Sequence, residues 1–202
     1  MTYDHKILDL KYHINGLMPK SVCDFFINFY EDNLDLTEIE MSYKFHDDKV
    51  KEDNFKCINL SENKIKDDKF LKPLELINKY MAIMVSNYEL YIRKSICPTF
   101  QNHFMRRTSN VRILKYGVGE FIKDHSDTEL SWGTHYVSNR GSCTINLNEG
   151  YEGGEFRIFN GKVKQSFKTG DAMLFPAEPI WIHGTEPITK GVRYCINCFF
   201  HP

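Results

Sequence analysis

A chain of 202 residues with 42% apolar side chains is long enough to bury one domain-sized core without covalent crosslinks. Its 26 basic and 27 acidic residues leave a formal charge of −1, which argues against nucleic acid as the main partner, because phosphate binding draws on a basic excess. The first twenty residues hold no apolar run of signal-peptide length, and nothing approaches the ~20 apolar residues that span a bilayer, so a soluble, cytoplasmic protein with no membrane partner is expected.

The opening segment reads as one short strand and a helix. Pro19 suits a first helical turn, and Val22, Phe25, Phe26, Phe29 and Tyr30 recur at the spacing of a helix that buries one face. From Glu31 to Asp68 the chain is polar and charge-rich, a surface excursion with a short strand around Met41–Phe45; its acidic pairs Asp47-Asp48 and Asp67-Asp68 read as solvated. A longer helix is predicted from about Phe70 to Ile96, because Phe70, Leu74, Ile77, Met81, Met84, Tyr88 and Tyr91 form a stripe at alternating three- and four-residue steps. It should lie against the outside of a sheet and end at Cys97-Pro98, since the residue before proline is pushed out of the helical region.

From Val111 the pattern changes to short strand-like runs separated by glycine. They are predicted near Val111–Tyr116, Lys123–Asp127, Cys143–Leu147, Gly154–Phe159, Gly161–Phe167, Ala172–Phe175, Trp181–His183 and Val192–Phe200, with Asn160-Gly161 as a two-residue hairpin turn. About eight strands after a helical half predict a mainly β, α+β fold: a double-sheet jelly roll with a ligand pocket in its mouth, flanked by N-terminal helices. Residues 1–202 read as a single domain, helical support over about 1–105 and the jelly-roll core over about 106–202. The six cysteines follow no regular framework and read as reduced and buried. Cys195-Ile196-Asn197-Cys198 has the spacing of a zinc or redox pair, but positions three apart in a strand face opposite sides and no second pair accompanies it.

Within this half, His125-Ser126-Asp127 stands out. In an extended segment residues i and i+2 share a side, so an imidazole and a carboxylate can be presented to one point. His183 is the third candidate, and Arg193 follows ten residues later. Two histidines and one carboxylate on one face of a metal leave the opposite face open, the ligand set of non-haem Fe(II) oxygenases. Singly, each residue has a plain reading: a His beside an Asp is usually a surface pair, and a strand Arg an edge charge. Jointly they resist it, because no packing requirement sets these four at inward-facing positions among apolar neighbours, and burying Arg193 without an anion would be costly. Trp181 shares the face of His183 in a regular strand and is expected as a pocket wall, with core packing as the alternative. In the stretch Leu130–Arg140, Trp132, His135 and Tyr136 could line a substrate entrance, or form an aromatic loop with no catalytic role. His5, His13, His46, His103 and His201 read as surface or satisfied groups.

The runs Tyr116-Gly-Val-Gly-Glu-Phe-Ile-Lys-Asp-His125-Ser-Asp127, Leu147-Asn-Glu-Gly-Tyr-Glu-Gly-Gly-Glu-Phe-Arg-Ile-Phe159, Gly170-Asp-Ala-Met-Leu-Phe-Pro and His183-Gly-Thr-Glu-Pro-Ile-Thr-Lys-Gly-Val-Arg193-Tyr together resemble the catalytic domain of prolyl 4-hydroxylases, which are Fe(II)- and 2-oxoglutarate-dependent dioxygenases. The resemblance covers about the last ninety residues; the first hundred match only in helical layout. It implies that His125, Asp127 and His183 hold Fe(II), and that 2-oxoglutarate binds the metal through its keto-acid end. Its far carboxylate then needs a cation deep in the pocket, which Arg193 supplies with a planar fork that stays charged when buried. Tyr116 resembles the family tyrosine that hydrogen-bonds the co-substrate, and Asn197, four residues past Arg193 on the same strand face, is expected to help hold the same carboxylate.

The resemblance therefore implies an iron enzyme that uses O2, decarboxylates 2-oxoglutarate to succinate and CO2, hydroxylates an unactivated C–H bond, and takes ascorbate as an accessory. A prolyl residue of a peptide or protein is the expected substrate, as in procollagen-proline 4-dioxygenase, with the missing signal segment favouring an intracellular target. The rivals are the same chemistry on a lysyl side chain or a free amino acid, a nucleic-acid demethylase, and a cupin-like binding module without turnover, in which Arg193 would have no purpose.

Overall fold

Strict two-residue alternation decides which side of the main sheet each residue serves. In the computed structural model, which describes residues 7–39, 55–63, 67–103, 105–128 and 139–202, the elements run in this order: β1 (Tyr12–Ile14), α1 (Lys20–Glu31), β2 (Glu38–Ile39), β3 (Lys56–Asn59), α2 (Leu60–Asn63), α3 (Leu71–Ser95), β4 (Arg107–Tyr116), β5 (Gly141–Asn146), β6 (Glu152–Gly153), β7 (Phe156–Ile158), β8 (Val163–Gln165), β9 (Ala172–Pro176), β10 (His183–Thr185), β11 (Ile188–Lys190) and β12 (Arg193–His201). A seven-stranded sheet has the order β1-β9-β5-β12-β4-β3-β2, a three-stranded sheet the order β10-β7-β8, and β11 pairs with β6. Every pairing is antiparallel.

On one face of the large sheet, Val111, Ile113, Cys143, Ile145, Leu174, Ile196, Cys198 and Phe200 pack against the helices in one apolar core. On the other, Leu114, Tyr116, Cys195, Met173 and Phe175 point towards the small sheet. The helices follow from their stripes: α1 buries Cys23, Phe26 and Tyr30, and α3 buries Leu74, Ile77, Tyr80, Met81, Met84, Tyr88 and Ile92. Each such side chain contributes on the order of 1.5–3 kcal/mol when fully buried. Pro19 is extended (φ −60°, ψ 147°) and stands just before α1. The far end of α3 closes with the Ile96 and Cys97 amides both donating to Ile92 O, at 2.9 and 2.8 Å, ahead of Pro98. Among the described residues no helix is long and apolar enough to cross a membrane, and the six cysteines form no disulfide.

Several expectations need correction. Lys123–Asp127 is not a strand; among the described residues its one bridge joins His125 to His183. The run Lys-Asp-His-Ser-Asp has no apolar residue to bury at alternate positions, so nothing extends the ladder. The strand expected at Trp181 begins at His183, and β6 and β11 were not foreseen. β1 is the short strand expected ahead of α1; β2 and β3 were not foreseen, and the three extend the large sheet at both edges. The Met41–Phe45 strand lies outside the described residues. The Asn160-Gly161 turn is as expected: both residues have positive φ (57° and 75°) and the Lys162 amide donates to Phe159 O at 3.3 Å, a twist-matched hairpin joining β7 and β8.

The N-terminal segment is tied to the jelly roll by Asp171. Its Oδ1 accepts from the Gly16 amide at 2.9 Å and its Oδ2 from the Lys168 amide at 2.8 Å, with His13 Nε2 3.6 Å away. Next to it Gly170 (φ 81°) leaves no room for a Cβ, which would stand 2.0 Å from Met18 O. Hydrogen bonds to a charged acceptor contribute roughly 1.5–3 kcal/mol each, so Asp171→Ala is expected to cost about 3 kcal/mol in urea denaturation and Asp171→Asn about half of that.

Candidate active site

A cavity opens between the two sheets. β4, β5, β9 and β12 give it Arg112, Leu114, Tyr116, Ser142, Thr144, Phe175, Arg193, Cys195 and Asn197; the opposite wall is Phe156, His183 and Thr185, with the run that carries His125 and Asp127. These are the alternate positions left over once the helix-side core is filled.

His183 opens β10, and the run 122–128 lies along that strand's outer edge. The His125 and His183 amides each donate to the other's carbonyl at 2.9 Å; the Thr185 amide donates to Ile122 O at 2.9 Å and the Ile122 amide to Thr185 Oγ1 at 3.0 Å. Further on, Asn139 Nδ2 donates to Asp127 O at 2.8 Å and the Thr128 hydroxyl to Ala177 O. The ring of His183 stacks on Phe156 (centroids 5.3 Å) and meets Phe175 edge-on at 4.8 Å.

Both imidazoles are oriented by backbone carbonyls. His125 Nδ1 is 2.8 Å from Lys123 O and His183 Nδ1 is 2.8 Å from Trp181 O. A carbonyl only accepts, so Nδ1 carries the proton on each ring and Nε2 presents its lone pair. Those two Nε2 atoms face Asp127, His125 at 3.2 Å from Oδ1 and His183 at 3.2 Å from Oδ2. Three acceptors therefore converge, all within 4.8 Å of one another, and Asp127 Oδ2 is buried without a hydrogen-bond donor. Either protons or a cation must sit among them. Bonds of ~2.1 Å to a metal at right angles would set ligand atoms roughly 3.0 Å apart, close to the spacing found. The titration of the group agrees: burial alone would raise Asp127, but His183 and His125 outweigh it and hold the carboxyl far below its usual range. Burial alone would lower His125, and Asp127 more than reverses that.

Arg193 is 1% exposed. Its Nε donates to Asn146 Oδ1 at 3.1 Å and its Nη1 to Gly154 O at 3.2 Å, while the guanidinium lies 5.7 Å from the Tyr116 ring centroid. Tyr151 OH also donates to Asn146 Oδ1, at 3.0 Å, so the amide oxygen is fixed from two sides. Among the described residues no carboxylate pairs with this guanidinium, and burial pushes both the Cys195 thiol and the Tyr151 phenol up, keeping them neutral. A buried cation without a counter-charge is costly unless an anion joins it. The donor set thus fits a small dicarboxylate reaching from the metal position towards Arg193.

Of the residues singled out in the sequence, His125, Asp127, His183, Tyr116, Arg193 and Asn197 all line this one cavity. The Oδ1 of Asn197 accepts from Arg112 Nη2 at 2.9 Å, at the opposite end of the β12 face from Arg193. Trp181 is not a wall: it is 1% exposed and packs among Phe156, Ile158, Phe167, Met173 and Phe175 beneath the cavity, contributing its carbonyl to His183. Its strand starts two residues later than expected, so it no longer shares the inward face. Trp132, His135 and Tyr136 lie outside the described residues. Arg112 and Asn146 were missed. Ser142, Thr144 and Asn146, polar at every second position of an otherwise apolar strand, were the available signal.

Residues 111–201 match the family model of the 2OG-Fe(II) oxygenase superfamily. Two PKHD-type hydroxylases of Synechococcus sp., from strains JA-2-3B'a(2-13) and JA-3-3Ab, are 32% identical over 90 residues, 42% of this chain and 39% of each relative, so the match spans less than half of those proteins. Among solved structures, a prolyl hydroxylase from Trichoplax adhaerens, in complex with a hypoxia inducible factor oxygen degradation domain peptide fragment, superposes with a TM-score of 0.65 at 14% identity, covering 96% of this chain and 84% of that one. A Pseudomonas putida prolyl-4-hydroxylase gives 0.61 at 16% identity, covering 96% of each chain. A viral collagen prolyl hydroxylase from Paramecium Bursaria Chlorella virus-1, in a 2OG complex, gives 0.58 at 14%, covering 100% and 98%. At these identities the structures establish the fold, a double-stranded β-helix.

Proposed function

We propose that this chain, whose residues 111–201 match the 2OG-Fe(II) oxygenase superfamily model, is a prolyl 4-hydroxylase-like 2OG-Fe(II) oxygenase that hydroxylates an unactivated C–H bond of a prolyl residue in a peptide or protein. The observation that carries the reading is the juxtaposition in one cavity of three converging acceptors and a buried guanidinium with no carboxylate beside it among the described residues.

His125, Asp127 and His183 would hold Fe(II), two neutral imidazoles and one anion that occupy one face and leave the rest of the coordination sphere to co-substrate and O2. Bound there, the metal supplies the coupling of 2-oxoglutarate decarboxylation, to succinate and CO2, with insertion of one oxygen atom into the substrate. The share of the chain is positional. Lys123 O and Trp181 O fix the tautomers of the two histidines. Asn146 and Gly154 O aim the fork of Arg193, which would pair with the far carboxylate of 2-oxoglutarate and set its keto-acid end towards the metal. Leu114, Ile122, Phe156 and Phe175 exclude water, which strengthens each charge interaction inside. The prolyl substrate is supported by the relatives' activities, and a peptide ligand by the peptide bound to the Trichoplax enzyme.

The test is succinate release by anaerobically iron-loaded protein on exposure to O2, with and without ascorbate, followed by mass spectrometry of proline-containing peptides, lysine-containing peptides and free amino acids. Gain of one oxygen atom on a prolyl residue, with matching succinate, is the expected result. Oxygen gained only on lysine or a free amino acid would keep the chemistry and replace the substrate. Absence of both succinate and 2-oxoglutarate binding would leave a non-catalytic module.

A further inference from the structure

We propose that Arg157 and Asp124 form a clamp that sets the position of His125 and Asp127, making Arg157 a positioning residue for the metal centre. The inference rests on the reading of His125, Asp127 and His183 as metal ligands. Two of the three lie on a run that belongs to no sheet ladder. Its described hydrogen bonds to β10 are the reciprocal His125–His183 pair and the Ile122–Thr185 pair, which join it to that strand at two points.

The outer face of the small sheet supplies a further constraint. His183 and Thr185 face the cavity, so Gly184 between them faces outward. A Cβ on Gly184 would stand 2.7 Å from Ile122 O, 2.8 Å from Asp124 Oδ1 and 3.0 Å from the Lys123 carbonyl carbon, which means that the run lies flush against this glycine. Arg157 is the register partner of Gly184 on β7. With no side chain between, Arg157 reaches across β10 and its Nε donates to Asp124 Oδ1 at 2.9 Å. The arginine is held in turn, since Nη1 is 3.5 Å from Glu186 Oε2 and Lys164 Nζ is 2.8 Å from Glu186 Oε1. Asp124 and Arg157 retain only 25% and 20% side-chain exposure, so the pair is partly shielded from solvent.

One ion pair thus bolts three backbone segments together, β7, β10 and the run 122–128, immediately before the first ligand. None of its atoms belongs to the cavity lining, so it acts on the metal only through the ligands. Contacts that orient metal ligands from behind typically change affinity 10–100-fold.

The experiment titrates Co(II) into wild type, Arg157→Met, Asp124→Asn, the double variant and Glu186→Gln, followed by visible absorption, with thermal unfolding of each metal-free protein alongside. Arg157→Met and Asp124→Asn should each weaken Co(II) binding about 10-fold or more and alter the intensity of the Co(II) bands. The double variant should be no worse than either single one, and Glu186→Gln should stay near wild type. If Arg157→Met fails to fold, the isosteric Asp124→Asn carries the same comparison. A merely structural role would lower the unfolding midpoint without changing the Co(II) spectrum. Wild-type affinity and spectrum in both single variants, or losses that multiply in the double one, would overturn the clamp while leaving the triad intact. Failure of wild type itself to bind Co(II) would overturn the metal site, and the clamp with it.

Discussion

His183→Ala and Asp127→Ala are each expected to abolish iron-dependent succinate formation and to weaken divalent metal binding by at least about 100-fold, the upper end of what loss of a mere supporting contact causes. The expectation follows from the count of donors. Removing one of three leaves two ligands for a cation that must shed part of its hydration shell to enter a nearly closed cavity, where His183 is 4% and Asp127 8% exposed. Equilibrium binding of Mn(II) or Co(II), read without turnover, separates lost ligation from lost catalysis. Wild-type affinity in either variant would show that the converging acceptors do not hold the metal. The same measurement carries a pH signature. Asp127 holds His125 protonated to higher pH than its ordinary value of about 6.5, so in the metal-free protein that interaction stabilises fully below the ordinary value and is lost as pH rises through the raised one. The lowered Asp127 contributes in the opposite sense: its stabilisation is present above about 3.9 and is lost as pH falls through the depressed value. Metal must displace the His125 proton, so affinity should climb by about tenfold per pH unit across the range where His125 is still charged, then level off.

How far the site could be read from sequence depended on whether its signal was local. His125 and Asp127 announce themselves two positions apart, and Arg193 opens a strand whose other residues are mostly apolar, so its inward charge is visible as an anomaly. The helices were legible for the same reason, each carrying a stripe that repeats within one segment, and so was the Asn160-Gly161 turn. What failed was non-local. β1 pairs with β9 across some 160 residues, and β3 with β4 across the whole of α3, and neither three- nor four-residue strand has the length to announce a partner. Arg157 reads as an outward strand charge and Asp124 as one more acid before a histidine; only the glycine between them in space, Gly184, makes them neighbours. Trp181 went wrong through a boundary error, since the strand begins at His183 and no ladder orients the residue two before it.

Arg193→Met is expected to weaken 2-oxoglutarate binding by at least about 30-fold while leaving the metal-free, ligand-free protein about as stable as wild type. The first half follows from the burial of the guanidinium: truncating one partner of a buried, hydrogen-bonded charge pair costs roughly 2–5 kcal/mol, a loss of about 30-fold to several thousand-fold in affinity. Arg193→Lys should fall between, because an ammonium keeps the charge but cannot reproduce the planar fork that Asn146 and Gly154 O hold in place. The second half decides what the arginine is for. A side chain that is 1% exposed and charged, with no carboxylate beside it among the described residues, destabilises the empty fold. Exchanging a buried ion for an apolar group of similar size commonly gains 1–4 kcal/mol. Against that stands the Gly154 carbonyl left without its donor, a loss of roughly 1–3 kcal/mol, whereas Asn146 Oδ1 keeps the hydrogen bond from Tyr151. Thermal unfolding with and without 2-oxoglutarate reads both halves at once: the wild-type midpoint should rise with the ligand, and that of the methionine variant should start about level with ligand-free wild type and rise much less. A midpoint that collapses in the ligand-free variant would make Arg193 a strut between β12 and the Asn146 end of β5, and the buried charge would then need no anion to explain it.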